Sequence, residues 1–122
     1  MAHYLIEVGY TAQSWANQID TKANVVDRIT PALDACGARL ESMYYAFGEN
    51  DLIGVIDFKK PEDAAAFGLA MAAGGALRSF KTTPLLSVEQ GMTSMKKAAE
   101  IRKQYAAPTT VSLVEQRTPA KT

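Results

Sequence analysis

Three features of the sequence predict an α+β fold. Runs rich in β-branched and aromatic residues alternate with segments of helical periodicity, in the order strand, helix, strand, strand, helix, strand. A polar turn, Gly48-Glu49-Asn50-Asp51, joins the second and third strands as a hairpin. The remaining strands are separated by helices, which lets each half of the chain fold as one arm of a split βαβ unit. The resulting expectation is a ferredoxin-like βαββαβ domain. It has one four-stranded antiparallel sheet, two helices on one face, an added C-terminal helix and an extended tail.

Each element has its own local reason. His3 to Tyr10 is rich in strand formers, with Tyr4, Ile6, Val8 and Tyr10 on one face and His3, Leu5, Glu7 and Gly9 on the other. Thr11 caps a short helical turn that holds Trp15. Asp20 or Thr21 then caps the main first helix, whose apolar stripe is Val25 or Val26, Ile29, Leu33 and Cys36. Pro31 kinks or restarts that helix, and Gly37 ends it in a left-handed conformation. Arg39 to Phe47 is the second strand, read as a plain alternation: Leu40, Ser42, Tyr44 and Ala46 against Arg39, Glu41, Met43, Tyr45 and Phe47. Leu52 to Phe58 is the third.

Pro61 suits the first turn of the second main helix, with Glu62 and Asp63 at its positive end. Small residues from Ala64 to Ala73 allow close packing, and Gly74-Gly75 stops the helix. Leu77 to Leu86 is the fourth strand. Ser87 and Gln90 form a capping box for a final helix, 87–105, with Val88, Met92, Met95 and Ala99 along one stripe. Residues 1–107 thus read as one domain, and 108–122 as an extended or disordered tail.

Composition narrows the functional classes. A chain of 122 residues suits one core. Thirteen basic and thirteen acidic residues cancel, so nothing in the charge favours nucleic acid or an anionic membrane surface. The lone Cys36 excludes an internal disulfide and sits on an apolar stripe as a small hydrophobe. The first residues lack the basic and apolar regions of a signal peptide, and the run from Ala64 to Leu77 is too short to span a bilayer. A cytoplasmic location is the expectation. No zinc, haem or nucleotide motif is recognisable; Gly74-Gly75 follows a helix where a phosphate loop precedes one.

The most informative pattern is that the sheet is apolar on both sides. The third strand sets Leu52, Ile56 and Phe58 against Ile53 and Val55, and the first sets Tyr4, Ile6 and Val8 against Leu5. A half-solvated antiparallel sheet alternates more cleanly. The helices cover one face, so the other needs a cover of its own. A second copy of the sheet, giving a homodimer or higher homo-oligomer, is the favoured cover; the C-terminal helix is the rival.

These residues resemble the GYD-domain family, a group of dimeric α+β barrel proteins. The resemblance runs from about Tyr4 to Pro108. It rests on Tyr10-Thr11-Ala12, Gly37 with Arg39-Leu40-Glu41, and Tyr45-Ala46-Phe47-Gly48-Glu49. It continues through Asp51, Asp57, Arg78, Lys81-Thr82-Thr83, Leu85-Leu86 and Lys96-Lys97. In the turn motif Gly48, Glu49, Asn50, Asp51, the family pattern has Tyr where Asn50 stands. The resemblance implies a ferredoxin-like protomer that pairs through its sheet, and implies no particular reaction.

Glu7, Asp57 and Lys81 are the candidate ligand-binding residues on the sheet, joined by His3, Trp15 and Arg78. A Glu–Lys or Asp–Lys pair in a dimer pocket binds a polar ligand or moves a proton; the plainer alternative is an ion pair at a strand end or across the seam. His3 reads as a general base or as a solvated residue near the chain start, and Trp15 as core or as a pocket wall. Asp51 is expected to bond its own turn backbone. The functional expectation is a small homo-oligomer that binds a small molecule at the sheet face, without metal or organic cofactor. The alternative is a non-enzymatic accessory subunit that docks to another protein through its C-terminal helix and tail.

Overall fold

The computed structural model describes residues 1–109, so the expected tail, 108–122, lies outside the described residues from position 110 onward. Met1–Leu85 form one compact unit, and the segment from Leu86 forms a second that is described on its own. In the first unit, β1 (Ala2–Tyr10), α1 (Ala12–Thr21), α2 (Val25–Ala35), β2 (Arg39–Tyr45), β3 (Leu52–Phe58), α3 (Pro61–Ala73) and β4 (Leu77–Leu85) follow in order. The sheet order is β2-β3-β1-β4 with every neighbouring pair antiparallel, which is the ferredoxin-like arrangement.

The core lies between the sheet and the helices. Tyr4, Ile6, Val8 and Tyr10 of β1 and Leu52, Ile56 and Phe58 of β3 meet Val25 and Leu33 of α2 and Ala64 and Phe67 of α3. Ile56 and Phe58 have no solvent exposure. Burying a side chain of that size contributes about 1.5–3 kcal/mol. Phe58 anchors an aromatic chain, edge-on to Tyr4 at 5.4 Å and tilted on Phe67 at 5.8 Å, with Phe80 6.3 Å beyond Phe67. Small residues throughout α3 let it approach the sheet: a Cβ on Gly68 would lie 3.1 Å from the Phe80 ring.

Several boundaries differ from the sequence-based expectation. Thr11 caps a ten-residue α1, longer than a single turn, by accepting a hydrogen bond from the Ser14 N–H at 3.1 Å. Neither Asp20 nor Thr21 caps α2. Lys22 takes a left-handed backbone (φ 53°) that ends α1, and the Asn24 side chain accepts the Val26 N–H at 2.8 Å to begin α2. The helix α2 runs through Pro31 without a restart. Gly37 ends it as expected, with φ 66°; the Ala38 N–H reaches Leu33 O at 2.9 Å and the Gly37 N–H reaches Asp34 O at 3.1 Å, a Schellman closure.

β2 ends at Tyr45, two residues before the expected Phe47, which is fully exposed. Its alternation is also broken. The register passes from Leu40 opposite Ile56 to Ser42 opposite Val55, so Glu41 is an extra residue in a β-bulge. After it, Met43 and Tyr45 fall on the helix side, and Ser42 and Tyr44 join Arg39 on the other.

In the second unit, α4 (Val88–Ile101) starts at the expected capping box: Ser87 and Gln90 bond each other's backbone N–H reciprocally at 3.0 and 2.9 Å. A 3-10 turn, Arg102–Gln104, completes it, so the helical segment ends one residue before the expected 105. Val88, Met92, Met95 and Ile101 are exposed along α4.

Candidate functional site

The sheet surface opposite α1–α3 is built in rows set by the strand register. One end row carries Arg39, Asp57, His3 and Leu85. The middle row carries Ser42, Val55, Leu5 and Thr83, and the next carries Tyr44, Ile53, Glu7 and Lys81. Leu5, Ile53, Val55 and Leu85 are each partly exposed, and Tyr44 is 71% exposed. An apolar band therefore lies between two polar ends.

At the first end, Asp57 has no solvent exposure. It is the one charged residue that is fully buried among the described residues, and both of its oxygens are occupied. His3 Nδ1 meets Oδ1, and Arg39 Nη2 donates to Oδ2. Glu41, displaced by the bulge, brings its Oε2 to 2.9 Å from the same His3 nitrogen. Burial alone would raise the Asp57 pKa, but the hydrogen bonds from His3 and Arg39 outweigh it and hold the carboxyl below its usual value. The acid stays ionised inside the fold because two cation-capable groups share its charge.

This arrangement has two chemical capacities. A proton on His3 Nδ1, held toward Asp57, leaves Nε2 as the lone-pair acceptor of the ring, the configuration of an oriented general base. Separately, ligand atoms of His3, Glu41 and Asp57 lie within 4.8 Å of one another, a set that a hard or borderline divalent cation could share. Arg39 already occupies the outer oxygen of Asp57, so such an ion would compete with a guanidinium.

At the opposite end, the turn Gly48–Asp51 is fastened to β1. Asp51 does not bond its own turn through its side chain; its Oδ2 accepts the Tyr10 backbone N–H at 2.8 Å and Arg78 Nη2 at 3.3 Å. The Tyr10 N–H, against the partial burial that opposes it, holds the Asp51 carboxyl below its usual value. Arg78 also donates to Glu49 O at 3.0 Å. It reaches there by crossing Gly9, where a Cβ would lie 2.6 Å from its guanidinium carbon. Asn50 donates to Glu7 Oε2 at 2.9 Å, so the residue standing in the family's Tyr position touches the sheet face.

Of the residues expected at the site, the structure brings His3 and Asp57 together and sets Glu7 beside Lys81 in register. The expected Glu–Lys or Asp–Lys ion pair does not form among the described residues: Glu7 bonds Asn50, and Asp57 bonds His3 and Arg39. Arg78 belongs to the turn. Trp15 lies on the helix side, edge-on to Tyr10 at 5.2 Å and 6.3 Å from Tyr45, beside an open depression of about 460 Å³. Arg39 and Glu41 were not anticipated. Both depend on the bulge: counted back from Tyr45 opposite Leu52 without it, the hairpin register would set Leu40 against Asp57, and the extra residue at Glu41 brings Arg39 there.

No helix among the described residues is long and apolar enough to cross a membrane. A family model described as GYD domain matches residues 4–95. No curated protein and no solved structure matches the chain.

Proposed function

The chain belongs to the GYD-domain family, and on that premise we propose that it works as a homodimer closed through the open sheet face, binding a small molecule there beside the His3–Asp57 pair. The observation that carries this reading is the fully buried, ionised Asp57 on a face otherwise banded with half-exposed Leu5, Ile53 and Val55. Folding a charge into that face is costly unless its partners are held in place. A second copy would dry the apolar band, with Lys81 in register beside Glu7 at its edge. The His3 ring then presents Nε2 to a ligand, either as a hydrogen-bond acceptor or as a base. The reading extends to a protein working in the cytoplasm, in keeping with its single cysteine.

A thermal-shift screen against metabolite-sized acids, amides and amines tests the ligand. Hits should be lost in His3→Ala, Asp57→Asn and Lys81→Ala. Hits that persist unchanged in all three variants remove the sheet face as the site.

The exposed stripe of α4 supports a second reading, an accessory subunit that docks to another protein through that helix. Val88 is 83% and Met95 66% exposed. Met92→Glu with Met95→Glu separates the two: it leaves small-molecule binding intact under the first reading and abolishes partner capture under the second.

A further inference from the structure

The helix side of the sheet holds a cavity of about 240 Å³ between α2 and α3, walled by Ile6, Val8, Ile56, Phe67, Met71 and Phe80. It is apolar except at one end, where Tyr10, Ser14 and Arg28 line it. Arg28 donates to the Tyr10 hydroxyl and to Gln18 Oε1, both at 3.2 Å. Both of these partners are neutral, and Arg28 forms no ion pair among the described residues.

We propose that this cavity is a second ligand site, separate from the sheet face, which takes a compact apolar molecule ending in a carboxylate. The body fills the space over Ile6, Val8 and Ile56, and the carboxylate meets the Arg28 guanidinium and the Tyr10 hydroxyl.

Three observations converge on that chemistry. The first is size. A dry apolar cavity of about 150 Å³ already binds benzene, so the larger volume here accommodates a single ring or short branched chain with a head group. The second is charge. A guanidinium at the mouth of an apolar space, hydrogen-bonded to the neutral Tyr10 and Gln18 and in no ion pair among the described residues, is matched by a planar anion that accepts two N–H bonds. The third is the hydroxyl. Burial raises the Tyr10 pKa, outweighing the opposing effect of Arg28, so the phenol stays protonated. Its oxygen accepts from Arg28, and its own proton is donated to no acceptor among the described residues, which leaves it for the ligand.

The space exists for a sequence reason. α3 and the turn after it present Ala70, Gly74 and Ala76 to the cavity beside Phe67 and Met71. The helix layer therefore has few large side chains to fill the gap above β1 and β3.

Titration of the full chain with phenylacetate, followed by amide NMR and calorimetry, tests the proposal. Saturable binding is expected, with shifts at Tyr10, Met71 and Phe80, and none with acetate, which has the head without the body. Arg28→Gln should weaken phenylacetate binding about tenfold or more, Arg28→Lys should restore part of the loss, and Tyr10→Phe should weaken it while keeping the ring packing. Asp57→Asn should leave it unchanged, so failure here is distinguishable from failure at the sheet face. Absence of saturation, equal affinity in Arg28→Gln, or shifts centred on His3 and Leu5 would each overturn the assignment.

Discussion

His3 and Asp57 stand directly opposite each other across the β1–β3 pair, and the imidazole of one meets the fully buried carboxylate of the other. Arg39 approaches the same acid from β2, its opposite neighbour there. Three strands thus contribute one side chain each to a single charge, which ties the end of the sheet together and places the only histidine of the chain on an exposed face.

Acid stability follows from that geometry. The folded Asp57 holds its pKa below the ordinary value, so the unfolded chain binds more protons in acid. Its stabilising contribution is full above the ordinary Asp range, about 4, and is lost as pH falls through the lower folded value. Asp51 has a shift of the same sign and adds to the same limb. Urea unfolding followed by the fluorescence of Trp15 should show stability falling below about pH 4, and the slope should flatten in Asp57→Asn.

Removing the acid altogether should cost more than removing an ordinary surface charge. Asp57→Ala leaves His3 and Arg39 without their shared acceptor and opens a small void. A loss of about 1–3 kcal/mol is expected, limited because both partners reach solvent. A loss indistinguishable from zero in chemical denaturation would mean that the buried carboxylate does not hold the strands.

Gly9 is required by a close approach. A Cβ there would lie 2.5 Å from Ser79 Oγ and 2.6 Å from the Arg78 guanidinium carbon. Gly9→Val should displace Arg78 from Asp51 and Glu49, costing about 1–3 kcal/mol, with a smaller effect for Gly9→Ala. Thermal unfolding checks the order, and loosening of the Gly48–Asp51 turn should appear as faster amide exchange at Asp51.

The helix break between α1 and α2 gives a clean local test. Asn24→Ala should cost about 0.5–2 kcal/mol through loss of the cap, whereas Asp20→Ala should stay within about 0.5 kcal/mol of the parent. Equal effects at the two sites would contradict the capping seen at Asn24.

The parts of this fold that were legible in the sequence are those governed by local rules. β3, the start of α3 at Pro61, the left-handed Gly37 and the Ser87–Gln90 capping box all sit where propensity and cap chemistry put them. Asn24 was missed because Asp20 and Thr21 offered equally good capping chemistry, and only the left-handed turn at Lys22 decides between them. The bulge at Glu41 was missed because it is a property of strand pairing, and it exchanges the faces of Ser42 through Tyr45. The site was half legible for the same reason. His3 and Asp57 stood out as polar residues in apolar strands, but which cation each acid meets is set by register.

On the proposed reading, the open sheet face closes against a second copy. Sedimentation velocity of the full chain at micromolar concentration, compared with Val55→Lys, tests it most directly. Pairing through the sheet gives a species of twice the 13.2 kDa chain mass for the parent and a folded single-chain species for the variant. A parent that sediments as a single 13.2 kDa chain, or a Val55→Lys variant that remains paired, would contradict it.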